Sequence, residues 1–281
     1  MLDVGCGNWP SMRANILADR FPWDDTERSH PLVLDERPFL ICDALRLPFK
    51  DKAVDHVVCS HLAEHLDQPE HLFAELSRVG KAGYIECPGR IRELLHGWAF
   101  HRWYVSRGTD ELLLEQKPRP VHDPEIQAWF TRHFEGNPDF EAFFVDNLDR
   151  FGLVTRYRWS GSVRYRVVRT ADEAWTRLQA DPAPPQGTSF AELGARLAEI
   201  RARKSPDPFV KRWLSRVARR ESDRRTKTLL PSILCCPACR GDLVRVVANQ
   251  LRCQACGASY PHWGNIYYLV AELAGGSSLG N

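Results

Sequence analysis

The sequence predicts an α/β protein, with a doubly wound parallel sheet in the N-terminal part of the chain and a small cysteine-rich domain near the other end. Three observations carry this. The first 87 residues alternate short, nearly continuous apolar runs with turns or helical patterns, as strands covered on both faces of a parallel sheet do. Gly5 and Gly7 follow the first of these runs directly, where an open α/β sheet lets its backbone approach a ligand. Two C-x-x-C pairs stand near the C-terminus, with 13 residues between Cys239 and Cys253.

The chain has 281 residues, enough for two domains, and its 43% hydrophobic and 26% charged content is that of a globular protein. It lacks an apolar run of about 18 residues and a basic segment leading into an apolar signal core, so a cytoplasmic location is expected. Net charge is +2, but Arg196 to Lys227 holds twelve Lys or Arg against Glu199, Asp207, Glu221 and Asp223. That stretch fits an acidic partner or a solvated helical face equally well. Cys6, Cys42, Cys59 and Cys87 sit in apolar runs and read as small buried hydrophobes.

Along the chain, "MLDVG", "NILAD", "PFLICDA", "AVDHVVCS" and "AGYIECP" are the expected parallel strands, with a helix over Pro69 to Val79 before the last. A further strand is expected at "ELLLEQK", and helices near Pro124 to Phe134 and Pro138 to Asp149. "LVTRYRW" and "SVRYRVV", separated by Ser160 and Gly161, read as a closing β-hairpin. These boundaries give a first domain over residues 1–170, a basic helical linker over 171–228 opening on "ADPAPPQGTS", and a cysteine module over 229–273.

The glycine turn lacks the dinucleotide fingerprint, because Pro10 takes the third glycine position and Asp19 comes 12 residues after Gly7, too early for the usual ribose acid. "LDVGCGNWP", Asp19 ending the second strand, "CDALRLPF" and "AVDHVVCSHLAEHL" together resemble a class I S-adenosylmethionine-dependent methyltransferase of the type 11 kind, over residues 1–170. The resemblance implies a Rossmann-like sheet and S-adenosylmethionine as cofactor. It further implies that Asp3 and the backbones of Gly5 and Gly7 surround the methionine part, Asp19 binds the ribose hydroxyls, Asp43 the adenine amino group with Ala44 beside it, and Ser60 and His61 lie near the sulfonium. Such roles suit the groups, since a carboxylate accepts hydrogen bonds from a diol or an exocyclic amine.

Two features depart from that family. Only Asn8 to Ala14 separates the glycine turn from "NILAD", so the first crossover helix can be a turn or two at most. The helices that normally precede the first strand are also missing; a start chosen too late, a truncated protein and a lid supplied from elsewhere in the chain are the three readings, the first preferred.

"HLAEH", His61 to His65, matches the H-x-x-E-H zinc-peptidase pattern. It follows a strand directly, which speaks against that use. Methyl transfer asks the protein for alignment and, for a protonated acceptor, a base. His61 is the first candidate base and His101 the second, each at an ordinary imidazole value near 6.5; packing or capping explains either histidine as well. Trp98, Phe100, Trp103 and Tyr104 read either as an aromatic wall for substrate or as core.

Cys236, Cys239, Cys253 and Cys256 have the spacing of a tetrahedral thiolate site for structural Zn²⁺, leaving Cys235 as the spare. "CPAC", "LRCQACGASYP" and "NIYYL" resemble the Trm112-like family of small zinc ribbons. Members of that family bind and stabilise methyltransferases, which implies that the ribbon packs on the first domain within one chain. The acceptor is unidentified: a small molecule, a glycan or lipid intermediate, or RNA. The competing class is a non-catalytic nucleic-acid- or protein-binding scaffold on a truncated methyltransferase fold.

Overall fold

The computed structural model describes residues 1–28, 30–117, 123–169, 189–203 and 224–271. Its centre is a ten-stranded sheet. Strands β1 (Leu2–Val4), β2 (Ile16–Asp19), β3 (Phe39–Cys42), β4 (Val54–Ser60) and β5 (Gly80–Pro88) lie in the order β3-β2-β1-β4-β5 and pair in parallel. The sheet reverses direction of winding at β1, so the space beyond the carboxyl ends of β1 and β4 is where ligands bind in this architecture.

The period of two along each strand divides the core into two layers. Leu2, Val4, Ile16, Ala18 and Leu40 face helix α1 (Pro69–Val79), which buries Leu72, Phe73 and Leu76 against them. Leu17, Phe39 and Ile41 face the opposite side, where helix α5 (Phe190–Ala202) supplies Leu193, Leu197 and Ile200 from one stripe at helical spacing. A capping box between Ser189 and Glu192 starts α5. Residues 189–203 lie within the expected linker, yet they form part of the sheet's covering layer, because that stripe finds an exposed apolar face. Linker residues 171–188 and 204–223 lie outside the described residues.

Between α1 and the ribbon, the chain adds α2 (Arg90–His96), β6 (Trp103–Arg107), β7 (Leu112–Gln116), α3 (Pro124–Gly136), α4 (Pro138–Asp146), β8 (Val154–Ser160) and β9 (Tyr165–Val168). The closing hairpin does not form. β8 runs antiparallel to β5 in the large sheet, whereas β9 pairs in parallel with β7 in a separate three-stranded sheet. Gly161, at φ +76°, sits at the corner where the chain changes sheets. Alternation identified both strands but says nothing about their partners. Likewise, α2 and β6 carry too mixed a pattern to read in advance. The first crossover has no helix: residues 5–15 run through turns and bends.

The cysteine module contributes β10 (Leu243–Val247), β11 (Gln250–Cys253), β12 (Ser259–Trp263) and β13 (Ile266–Leu269). Its last strand joins the sheet, Ile266 to Leu269 pairing in parallel with Phe39 to Cys42. The module also lends Leu230, Leu234, Leu251 and Tyr260 to the core beneath α1. Around this seam, Arg240 bonds Glu75 at 3.0 Å, Cys235 N–H donates to the Pro48 carbonyl at 3.0 Å, and Asn265 Nδ2 donates to the Arg37 carbonyl at 2.5 Å. Ribbon and first domain are therefore one packed body, as the fused order of the two suggested.

Candidate functional site

The carboxyl ends of β1, β2, β3 and β4 open into a cavity of about 1370 Å³. Asp3, Gly5, Gly7, Asp19, Asp43, Ala44, Ser60, His61 and His101, named from the sequence as cofactor or acceptor residues, all line it.

The glycine turn is shaped by its backbone. Gly5 and Gly7 take φ of +71° and +49°, and a Cβ on Gly5 would meet Leu62 Cδ2 at 3.1 Å. Gly5 N–H donates to the Ala18 carbonyl at 2.9 Å, and Gly7 N–H to Asp19 Oδ2 at 3.0 Å, so β2 holds the turn in place. Asp3 accepts from the Ser11 amide at 2.6 Å; burial outweighs that bond and lifts its carboxyl to about 6.

The acids at the ends of β2 and β3 are each matched by an arginine. Asp19 Oδ1 meets Arg28 at 2.5 Å, and Asp43, which caps the turn at Ala44–Arg46 through the Leu45 amide, meets Arg20 at 3.0 Å. Asp19 Oδ1 already accepts from Arg28 and from the Phe21 amide, so a diol or amine would be received at the second lone pair of Oδ2, and at Asp43 on either oxygen. A ligand here would share the carboxylates with these guanidinium groups. Neither arginine was evident from spacing.

At the end of β4, His61 adopts φ +53° and its amide donates to the Glu86 carbonyl at 2.8 Å. Its ring stands 3.3 Å from Glu64 Oε1 and 3.7 Å from Glu86 Oε1. Burial opposes the charge, but these two carboxylates raise the imidazole to about 9. The expectation of an ordinary value near 6.5 is thereby corrected upward. His101 moves the other way, lowered chiefly by burial while Glu93 pulls against it. Its Nδ1 lies 2.6 Å from Glu93 Oε1, and Glu93 also receives Lys117.

The H-x-x-E-H stretch is not a peptidase helix. Only a short 3-10 turn spans Ala63–His65, and His61 faces Glu86 while His65 faces His101, with ring centroids 4.4 Å apart. Of the four aromatics, Trp98 and Phe100 line the cavity. Trp103 is buried in the main core, its Nε1 donating to the Leu66 carbonyl at 2.6 Å, and Tyr104 packs under Arg90. The aromatic wall is therefore half wall and half core.

In the ribbon, the sulfurs of Cys236, Cys239, Cys253 and Cys256 all lie within 4.8 Å of one another. Cys236 and Cys256 are 3.7 Å apart and Cys239 and Cys253 3.4 Å. Four thiolates at Zn–S distances of about 2.3 Å stand roughly 3.8 Å apart, so the set fits Zn²⁺. Cys235 is outside it, a buried free thiol whose backbone forms an antiparallel bridge with Asp242. A Cβ on Gly241 would press on Cys253 Sγ at 3.0 Å, which keeps that position free of a side chain.

Residues 2–85 match the family model for a methyltransferase domain, and residues 227–261 that for a Trm112p-like protein. No curated protein matches the chain. Among solved structures, one chain from a complex containing the Haloferax volcanii Trm112 methyltransferase activator is 16% identical over 57% of this chain and 81% of that one, with a TM-score of 0.33, too low to bear on function. The chain thus carries a match to the methyltransferase-domain model near its N-terminus and one to the Trm112p-like model near its C-terminus.

Proposed function

We propose that this protein transfers a methyl group from S-adenosylmethionine to an acceptor bound in the same cavity, and that the zinc-loaded ribbon stabilises the domain that does so. The observation that carries the reading is the convergence of Asp3, Gly5, Gly7, Asp19, Asp43 and Ser60 on one cavity, within the span that matches the methyltransferase-domain model. Asp3 and the glycine backbones would hold the methionine part, Asp19 the ribose and Asp43 with Ala44 the adenine. The cofactor supplies an electrophilic methyl on a sulfonium.

The chain's own residues would orient the acceptor and exclude water. His61, as a cation between two carboxylates, is better suited to orienting an acceptor than to removing its proton; His101, the second candidate base, has its Nδ1 committed to Glu93. The acceptor class within small molecules, glycan or lipid intermediates and RNA is not distinguished by this set of residues.

Calorimetry with S-adenosylmethionine and its demethylated product on zinc-loaded protein tests the reading. Binding of both at one site per chain is expected. No binding by folded protein would sink it in favour of a non-catalytic scaffold.

A further inference from the structure

We infer that Glu64, His65 and His101 form a site for one divalent transition-metal ion in the cavity wall, and that this ion binds and activates a hydroxyl group of the methyl acceptor. The second half rests on the methyltransferase reading; the first does not.

The donor atoms of these three residues lie within 4.8 Å of one another. Glu64 is fully buried, and His61 Nδ1, 3.3 Å from its Oε1, stands outside good hydrogen-bond geometry. A buried carboxylate is retained in a fold when it is paired or holds a metal. The His61 ring is its partner at 3.3 Å, and the imidazoles of His65 and His101 lie within reach of the same carboxylate.

Each histidine has a second carboxylate beside it, as metal-binding imidazoles do, and that of His101 is hydrogen-bonded. Glu93 takes Nδ1 of His101 at 2.6 Å, leaving Nε2 as the donor atom, and Glu27 Oε2 lies 3.0 Å from Nδ1 of His65. The two segments that carry the ligands are 36 positions apart, yet they are fastened together. Arg102 N–H donates to the Glu64 carbonyl at 2.7 Å, and Trp103 Nε1 to the Leu66 carbonyl. The ligand geometry is therefore set by backbone bonds before any ion arrives.

Two imidazole nitrogens and one carboxylate oxygen suit Zn²⁺, Fe²⁺, Mn²⁺ or Co²⁺, and three protein ligands leave positions open. His65 and His101 line the cavity and Glu64, fully buried, does not, so an open position would be reached past the two imidazoles. A cation there makes a bound hydroxyl more acidic. Its proton leaves to cavity water, the oxygen attacks the sulfonium methyl, an O–CH₃ bond forms as the S–CH₃ bond breaks, and the electron pair remains on sulfur as a neutral thioether. A hydroxyl acceptor is the class that gains most from such an ion, since a neutral amine needs no deprotonation before attack.

The test is a titration of the zinc-loaded full chain with Co²⁺, followed by absorption and calorimetry. One Co²⁺ per chain beyond the ribbon zinc is expected, with weak visible bands and no sulfur-to-cobalt charge transfer. Glu64→Gln and His65→Gln should each weaken it by about tenfold or more while keeping S-adenosylmethionine affinity. Two hyperfine-shifted imidazole N–H signals, from His65 and His101, would identify the ligands in unsubstituted protein. No added Co²⁺, Co²⁺ that shows only thiolate charge transfer, or binding unchanged in both variants would each overturn the site. Co²⁺ uptake without S-adenosylmethionine affinity would keep the site and overturn its hydroxyl chemistry. S-adenosylmethionine binding without Co²⁺ uptake would do the reverse, leaving the methyltransferase reading intact.

Discussion

The four cysteines of the ribbon and the Glu64, His65 and His101 group contrast in ligand chemistry, in number and in origin. The cysteines come as two short pairs, supply four thiolates and leave no position open. The cavity group draws one carboxylate and two imidazoles from segments 36 positions apart, and it faces an open space of about 1370 Å³. A closed set of soft ligands serves architecture, and an open set of harder ones serves a guest. The ribbon's set is placed by local spacing, the cavity's by long-range backbone bonds.

Removing the ribbon's metal should have the largest effect, because a structural zinc contributes on the order of 10 kcal/mol to the fold it closes. A strong chelator is expected to abolish the ribbon and, with it, the β13 to β3 pairing, lowering the melting temperature of the whole chain. A calorimetric melt unmoved by the chelator would break the comparison from the architectural side.

On the cavity side, Asp19→Ala removes one of two carboxylates paired with a mostly buried guanidinium, Asp25 remaining at 3.2 Å, and the acceptor for the Gly7 amide. The loss should be read as a lower melting temperature together with lost S-adenosylmethionine binding. Retained affinity in the folded variant would remove Asp19 from the site.

Leu269→Ala tests the seam without touching a ligand. Leu269 is fully buried where β13 meets β3. Truncation should cost about 2–5 kcal/mol in a denaturant titration, with zinc content unchanged. If zinc falls with stability, the ribbon's site depends on the sheet rather than the reverse.

The smallest effect is a pH dependence at Asp3. Burial raises its carboxyl to about 6 from an unfolded value of 3.8. Its contribution to stability is thus fully present below 3.8 and lost as pH rises through 6. The ammonium of S-adenosylmethionine favours the ionised form instead, so affinity should fall by up to about tenfold per pH unit below 6. A flat affinity between pH 5 and 7 would show that Asp3 does not meet the ammonium.

Much of this was legible in the sequence where the signal is local. Pro69–Val79 reads as a helix because Leu72, Phe73, Leu76 and Val79 keep one face, and the C-x-x-C pairs need no tertiary information. Partnership between distant segments is not written in periodicity. β8 and β9 were visible as strands but not as members of different sheets, and residues 189–203 read as linker until their stripe met Leu17, Phe39 and Ile41. In the cavity, His61 and His101 drew notice as candidate bases. The link from Glu64 and His65 to His101 was not legible, because His101 stands 36 positions beyond His65 and no spacing rule joins them.

The parallel seam between Phe39–Cys42 and Ile266–Leu269 has a consequence in time. Strand β3 is synthesised more than two hundred residues before its neighbour, since Asn265 and Arg37, which bond across the seam, are separated by 228 positions. At about 5–20 residues per second, that is a wait of roughly 10–45 s on the ribosome. Through that interval the apolar run "FLIC" has an unpaired edge, open to other nascent chains. Strand β13, the last among the described residues, therefore also sets when that edge is covered.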